Sequence, residues 1–205
     1  MVQGSDEWKM SRCGCVTASR VIDIVKGVKG KYTASRKNYM AEKVCEILTG
    51  EPTEYFTSGA MEWGTENEPY ARAAYEGIKG VFVEEVGFIN HPVISRFGAS
   101  PDGLVNNDGS IEIKCPNTAT HLDTLINGTI KRDYIYQMQT VMLCGNREWC
   151  DFVSNDPRLP EDLSTYIHRV MRDETIIMEI VDEVEKFNKE LDVMLDKLRK
   201  IRGEK

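Results

Sequence analysis

The sequence predicts a mixed α/β (α+β) fold: a central mixed sheet flanked by helices, with a long helix at the C-terminal end. Two spacing patterns and one turn predict it. Apolar residues recur at helical intervals toward both ends, as in Met40, Val44, Ile47 and Leu48. In the middle the period shortens to two, where Ile111 and Ile113 alternate with Glu112 and Lys114. Asn106-Asn107-Asp108-Gly109 then interrupts the apolar pattern as a strong hairpin turn.

The elements follow in order. Thr17 to Val25 reads as a short helix with Thr17 as its N-cap, and Gly27 and Gly30 make a basic loop after it. Thr33 or Ser35 caps a second helix that runs to about Leu48 and closes at Gly50. A third helix is expected from about Gly59 to Tyr75, ending at Gly77. Val81 to Ile89 reads as one strand and Val93 to Ala99 as another. Gly103 to Val105 and Ser110 to Cys115 are the arms of the hairpin. Thr118 to Ile126 is a short helix, and Tyr134 to Leu143 another that Gly145 ends. Glu148 to Ser154 and Ser164 to Met171 read as strands. Glu174 to Ile201 is a long amphipathic helix whose stripe is Ile177, Ile180, Val181, Val184, Phe187, Leu191, Met194, Leu195 and Leu198.

No repeat, low-complexity tract or linker divides the 205 residues, so one domain spanning residues 1–205 is expected. Apolar content of 41% is enough for a sizeable core and excludes wholesale disorder. No run of about 18 apolar residues predicts a membrane span. Met1 to Met10 is polar, unlike a secretory signal, so a cytoplasmic protein with reduced cysteines is expected. The six cysteines form no Cys-x-x-Cys pair and no zinc-finger spacing.

The net charge of −7 argues at first against a nucleic-acid partner. Yet Lys9 to Lys37 holds eight basic residues and one acid, Asp23. A basic arm on an acidic body is a first functional clue; were the partner a nucleic acid, this segment would line its path with the remaining acid facing outward.

The chemistry concentrates in Ser100-Pro101-Asp102-Gly103 and, across the hairpin, Glu112-Ile113-Lys114. Folding back brings Asp102 and Glu112 toward one end of the sheet, and Glu112 and Lys114 share a strand face. Two carboxylates suit a hard divalent cation, Mg²⁺ first. A lysine beside them can orient a water and stabilise charge on a phosphate, which is what metal-assisted phosphodiester hydrolysis needs. Glu68, on the upstream helix, could add a third carboxylate; its alternative role is a salt bridge with Arg72, one turn away. Gln137 could hydrogen-bond the attacking water, while Gln139 lies on a different helix face.

Taken in order, several motifs resemble the phage lambda-type exonucleases, the YqaJ-like viral recombinase group of the PD-(D/E)xK nuclease superfamily. They are Trp8-x-x-x-Arg12, Thr17-Ala18-Ser19, Trp63-Gly64 with Glu68 and Ala71-Arg72, Ser100-Pro101-Asp102-Gly103-Leu104, Glu112-x-Lys114-Cys115-Pro116, Gln137-x-Gln139 and Asn155-Asp156-Pro157-Arg158. The resemblance spans about three quarters of the chain. It implies a restriction-endonuclease-like core and a 5′→3′ exonuclease that degrades one strand of linear duplex DNA to mononucleotides, leaving 3′ single-stranded overhangs. It implies Mg²⁺ as cofactor, with Mn²⁺ able to substitute, a ring-shaped homotrimer, and a phage-type single-strand annealing protein as partner in the bacterial cytoplasm. Asp102 and Glu112 match the metal carboxylates, with the Ile113 backbone carbonyl a further ligand. Lys114 matches the catalytic lysine, Glu68 the helix glutamate and Gln137 the helix glutamine. Arg12 and Ser19, with Thr17 beside them, match the residues that hold the 5′-phosphate.

Two departures stand out. The position four after Gln137 is Val141, where the superfamily motif carries Tyr. Thr120 stands where relatives can carry a basic residue, so phosphate anchoring would be weaker, or taken over by His121 or Lys131. The rival readings are an endonuclease of restriction or repair type and a non-catalytic DNA-binding protein on a nuclease scaffold.

Overall fold

The computed structural model of the chain describes residues 2–27, 29–54 and 58–203. It contains α1 (Asp6–Arg12), β1 (Val16–Thr17), a 3-10 turn (Ala18–Asp23), α2 (Ala34–Thr49), α3 (Gly59–Lys79), β2 (Val83–Glu84), β3 (Ile89–Asn90) and β4 (Phe97–Ala99). β5 (Gly103–Val105), β6 (Gly109–Lys114), α4 (Thr118–Asn127), α5 (Arg132–Gly145), β7 (Trp149–Asn155), α6 (Glu161–Ser164), β8 (Thr165–Met171) and α7 (Glu174–Ile201) follow. Among the described residues no helix is long and apolar enough to cross a membrane.

The main sheet has the order β2-β5-β6-β7-β8, and a small second sheet the order β1-β4-β3. Among the described residues, the β6–β7 pair is parallel and the other pairs of the main sheet are antiparallel. Parallel neighbours need a crossover, and α4 and α5 supply it. The register sets Ile111 beside Asp151 and Ile113 beside Val153, and sets Glu112 beside Phe152 and Lys114 beside Ser154. The first set faces α3: Ala71 and Tyr75 pack with Ile111, Ile113 and Val153. The second faces α5: Met138 and Met142 pack with Phe152 and Cys150. The other side of α5 joins the largest core, where Val141 and Cys144 meet α2, the small sheet and α7 through Ile180, Val184, Phe187 and Leu191. Each such fully buried side chain stabilises the fold by about 1.5–3 kcal/mol.

The hairpin forms where its turn predicts, and Gly109 is required there. A Cβ at Gly109 would lie 2.1 Å from the Trp149 ring. The long C-terminal helix also spans its expected residues.

Several boundaries differ from expectation. The segment from Val81 to Ile89 is not one strand; Val83–Glu84 joins the main sheet and Ile89–Asn90 the small one. The chain crosses between the sheets at Val86, whose carbonyl accepts Gln3 Nε2 at 3.1 Å. The strand expected from Val93 starts only at Phe97, because His91 Nδ1 accepts the N–H groups of Val93 and Ile94 in a turn. The third helix runs past Gly77 to Lys79, and Gly80 supplies the left-handed cap at φ 64°. Thr17 to Val25 is a short strand and a 3-10 turn rather than an α-helix, and Thr17 makes no side-chain cap. α1 escaped the periodicity reading because it buries no residue, although Ser5 caps it by accepting Trp8 N–H at 3.2 Å.

Candidate functional site

The acidic cluster assembles where β6 ends. Asp102 lies just before β5, and its Oδ2 accepts the Ile113 N–H at 2.7 Å. That bond draws the loop carboxylate onto the neighbouring strand. Glu112 comes from the same strand but points to the α5 side and is fully buried. Neither of its carboxylate oxygens accepts a well-directed hydrogen bond among the described residues. The Lys114 ammonium lies against Oε1, two residues along the same face. Glu68 reaches in from α3, one-third exposed, and is held by Arg72 at 2.7 Å. Arg72 also pairs with Glu85 at 2.9 Å. The Glu68–Arg72 salt bridge therefore exists together with Glu68's place at the cluster.

The charges act on one another. Burial, and then the Asp102 charge, push Glu68 up to about 7 despite Arg72. Burial pushes Glu112 up to about 8; Lys114 opposes the shift, and Asp102 and Glu68 reinforce it. Asp102 is also raised by burial, against Lys114 and the Ile113 N–H. Lys114 is raised: burial disfavours its charge, but Glu112 and Asp102 outweigh burial. Three carboxylates that resist ionising near one another lack positive charge, and Lys114 and Arg72 together do not supply enough.

A hard divalent cation fits this deficit. Glu112 is fully buried with only the Lys114 ammonium against its carboxylate among the described residues, a costly arrangement unless further positive charge takes it up. The donors are all oxygens, as Mg²⁺ prefers. Among the described residues, no three His, Cys, Asp or Glu side chains converge tightly enough to form a finished cage. The residues that fit are Asp102, Glu112 and Glu68, with the Ile113 carbonyl beside Asp102.

Gln137 and Gln139 separate as their spacing predicts. Gln139 is buried and structural, its Nε2 donating to Met171 O at 2.8 Å and its Oε1 accepting Asp173 N–H at 2.9 Å. Gln137 is half-buried and makes no hydrogen bond among the described residues. It lies one turn after Tyr134, a residue that sequence reading passed over. The Lys114 ammonium sits 5.2 Å from the centre of the Tyr134 ring. An aromatic ring thus stands by the lysine although Val141 replaces the motif's Tyr.

Arg12, Thr17 and Ser19 all line one open cleft of about 940 Å³. The Arg12 guanidinium stacks 3.9 Å from the centre of the Trp8 ring, and Thr17 Oγ1 and Ser19 Oγ lie 3.5 Å apart. Hydrogen bonds tie together the side chains around and behind the cleft. Glu46 takes Lys43 Nζ and the Gly14 N–H, each at 2.7 Å. The buried Tyr39 hydroxyl accepts the Thr17 N–H at 3.1 Å. Arg20 also lines the cleft, held by Asp23 at 2.5 Å and Glu42 at 3.3 Å. Trp8 joins this cleft to the acidic cluster, because its Nε1 donates to Ser100 Oγ at 2.9 Å, two residues before Asp102. Sequence reasoning missed Lys43, Tyr39 and Tyr134; the Lys43/Glu46 spacing on one helix face was the available signal.

Two expectations are corrected. His121 is fully buried and is not available to a phosphate: its ring nitrogens bond Ser154 Oγ at 2.8 Å and Leu163 O at 2.9 Å. The basic stretch from Lys9 to Lys37 does not form one face. Lys9, Arg12 and Arg20 line the cleft. Lys26 and Arg36 instead turn to α7, pairing with Glu183 at 3.9 Å and Glu190 at 2.6 Å, and Lys37 lines a separate pocket there. The acids of α7 draw that half of the stretch away.

The family model described as "YqaJ-like viral recombinase domain" matches residues 7–148. No curated protein matches the chain. Among solved structures, an alkaline exonuclease (LHK-Exo) from Laribacter hongkongensis is 49% identical, with a TM-score of 0.90 over 97% of this chain and 98% of that one. LHK-Exo in complex with dAMP matches at 50% identity and a TM-score of 0.90, again over 97% of this chain and 98% of that one. A phage-related exonuclease from Haemophilus somnus 129PT shares the fold at a TM-score of 0.74 and 17% identity, over 90% of this chain and 96% of that one.

Proposed function

Because this chain belongs to the YqaJ-like viral recombinase domain family, we propose that it is a Mg²⁺-dependent 5′→3′ exonuclease of linear double-stranded DNA. It removes mononucleotides from a 5′-phosphorylated strand and leaves a 3′ single-stranded overhang for an annealing protein. The observation that carries this reading is the fully buried Glu112 carboxylate, which has Lys114 against one oxygen and lies beside Asp102 and Glu68. The 49% identity to an alkaline exonuclease supports it, and the relative's complex with dAMP, a nucleoside monophosphate, suits a mononucleotide product.

In this reading Arg12 and Ser19, with Thr17, seat the 5′-terminal phosphate, and that sets polarity. Arg12 offers a planar fork of donors that its stacking on Trp8 keeps in orientation. Asp102, Glu112, Glu68 and the Ile113 carbonyl would hold the metal, with Mn²⁺ able to replace Mg²⁺. When bound, the metal supplies an activated water and neutralises charge on the scissile phosphate. Lys114 Nζ donates to the attacking water and Gln137 Oε1 accepts from it, which orients it in line. Contacts to the backbone rather than base edges make the enzyme indifferent to sequence and sensitive to salt. The working form is a homotrimer ring in the host cytoplasm.

The test is a linear, 5′-phosphorylated duplex with Mg²⁺, beside a 5′-hydroxyl duplex and a closed circle. Mononucleotides from the first duplex alone are expected. Cleavage of the circle would instead identify an endonuclease. A mass measurement in solution should return three chains per particle.

A further inference from the structure

Lys131 stands at the N-terminal boundary of α5, where its carbonyl accepts the N–H groups of Tyr134 at 3.0 Å and Ile135 at 3.2 Å. Its side chain is exposed and has no carboxylate partner among the described residues. Its ammonium lies 5.8 Å from the centre of the Tyr134 ring, the same ring that Lys114 approaches at 5.2 Å. The ring is held from behind, stacked on Phe152 at 5.8 Å. Phe152 belongs to the small apolar cluster of Met138, Met142 and Cys150.

One aromatic ring, stacked on Phe152, therefore has two ammonium groups near it. Each gains from the electron-rich ring. The two charges repel, however, and only Lys114 has carboxylates to balance it. Lys131 projects to solvent at the positive end of a helix of 14 residues. An anion outside the protein is what this arrangement lacks. The two ring distances hold the ammonium groups no more than about 11 Å apart, within reach of neighbouring phosphates of one strand. Of the residues that sequence left open for a phosphate contact, His121 is fully engaged inside the protein and Lys131 is not.

We propose that Lys131 is a second phosphate-binding cation of this site, gripping a backbone phosphate that flanks the scissile one, with Tyr134 holding it in register with Lys114. The assignment rests on the reading of the chain as a DNA-cleaving enzyme. It makes Lys131 a binding residue, so its loss acts on affinity and leaves the chemical step intact.

The experiment measures binding of a 5′-phosphorylated linear duplex to the full chain by fluorescence anisotropy, without metal, from about 50 to about 200 mM salt. Lys131→Gln should make the slope of log affinity against log salt shallower by about 0.9, so the wild-type advantage shrinks about 3.5-fold across that range. With Mg²⁺, KM should rise and kcat stay near wild type. Lys131→Arg should restore the slope, and Tyr134→Leu should flatten it where Tyr134→Phe does not. An unchanged slope in Lys131→Gln, a loss confined to kcat, or an arginine variant as impaired as the glutamine variant would overturn the assignment. Failure of the wild-type chain to degrade any linear duplex would instead defeat the exonuclease reading.

Discussion

Replacing Glu112 by glutamine removes one negative charge from the interior with almost no change of shape. In the metal-free protein, folded Glu112 holds its proton at about 8 instead of the ordinary 4.5. At a pH above both values such a shift weakens folding by at most about 5 kcal/mol. Lys114 gains from the same contact and offsets part of this, so the substitution should stabilise the metal-free chain by less than that full amount. The sign follows from proton binding. The folded state binds the proton more tightly than the unfolded chain, so the penalty is absent below 4.5 and complete only above about 8. Glu112→Gln should therefore match wild type near about pH 4.5 and exceed it near about pH 9. Urea denaturation in the presence of a chelator, followed by tryptophan fluorescence, measures this. With Mg²⁺ the same variant should lose about 10²–10³-fold or more in turnover. Opposite signs for stability and activity are the mark of a site kept for function. A variant that is less stable at high pH without metal would refute the reasoning, because Glu112 would then be the anionic half of a structural ion pair. Breaking such a buried pair costs about 3–5 kcal/mol.

The remaining predictions concern proton release and the floor of the cleft. Because Glu68 is raised to about 7 and Glu112 to about 8, Mg²⁺ binding near neutral pH should expel protons and tighten as pH rises. Calorimetry in two buffers of different ionisation heat should give different apparent enthalpies; identical values would count against these carboxylates as ligands. Tyr39→Phe removes the hydroxyl that accepts the Thr17 N–H at 3.1 Å and donates to Cys15 O at 3.4 Å. A buried N–H left without a partner should lower stability by about 1–3 kcal/mol. The same variant should narrow the rate difference between 5′-phosphate and 5′-hydroxyl ends; an unchanged difference would separate Thr17 from phosphate binding.

Much of the site was legible because it is written locally. Asp102, Glu112 and Lys114 lie on one hairpin, so a turn signal and the two-residue period of a strand already bring them together. Arg12, Thr17 and Ser19 lie within one short stretch and line one cleft. The helices with long apolar stripes, α2, α5 and α7, appear within a few residues of their expected ends, since burying a stripe depends on spacing alone. The short strands β2 and β3 were read as one, because two-residue strands have no period to detect.

By itself, then, the sequence determined the mixed α/β class, the hairpin with its acidic pair and lysine, and the order of motifs that marks the family. Tertiary structure alone decided which charges stay available. It buried Glu112 with Lys114 against its carboxylate, and it spent His121 on internal hydrogen bonds. It paired Arg36 with Glu190 across 154 positions of sequence and set Lys114 and Lys131 on one tyrosine ring. The physical reason is that a side chain's charge is local, whereas its solvation and its partners come from chain segments far away in sequence.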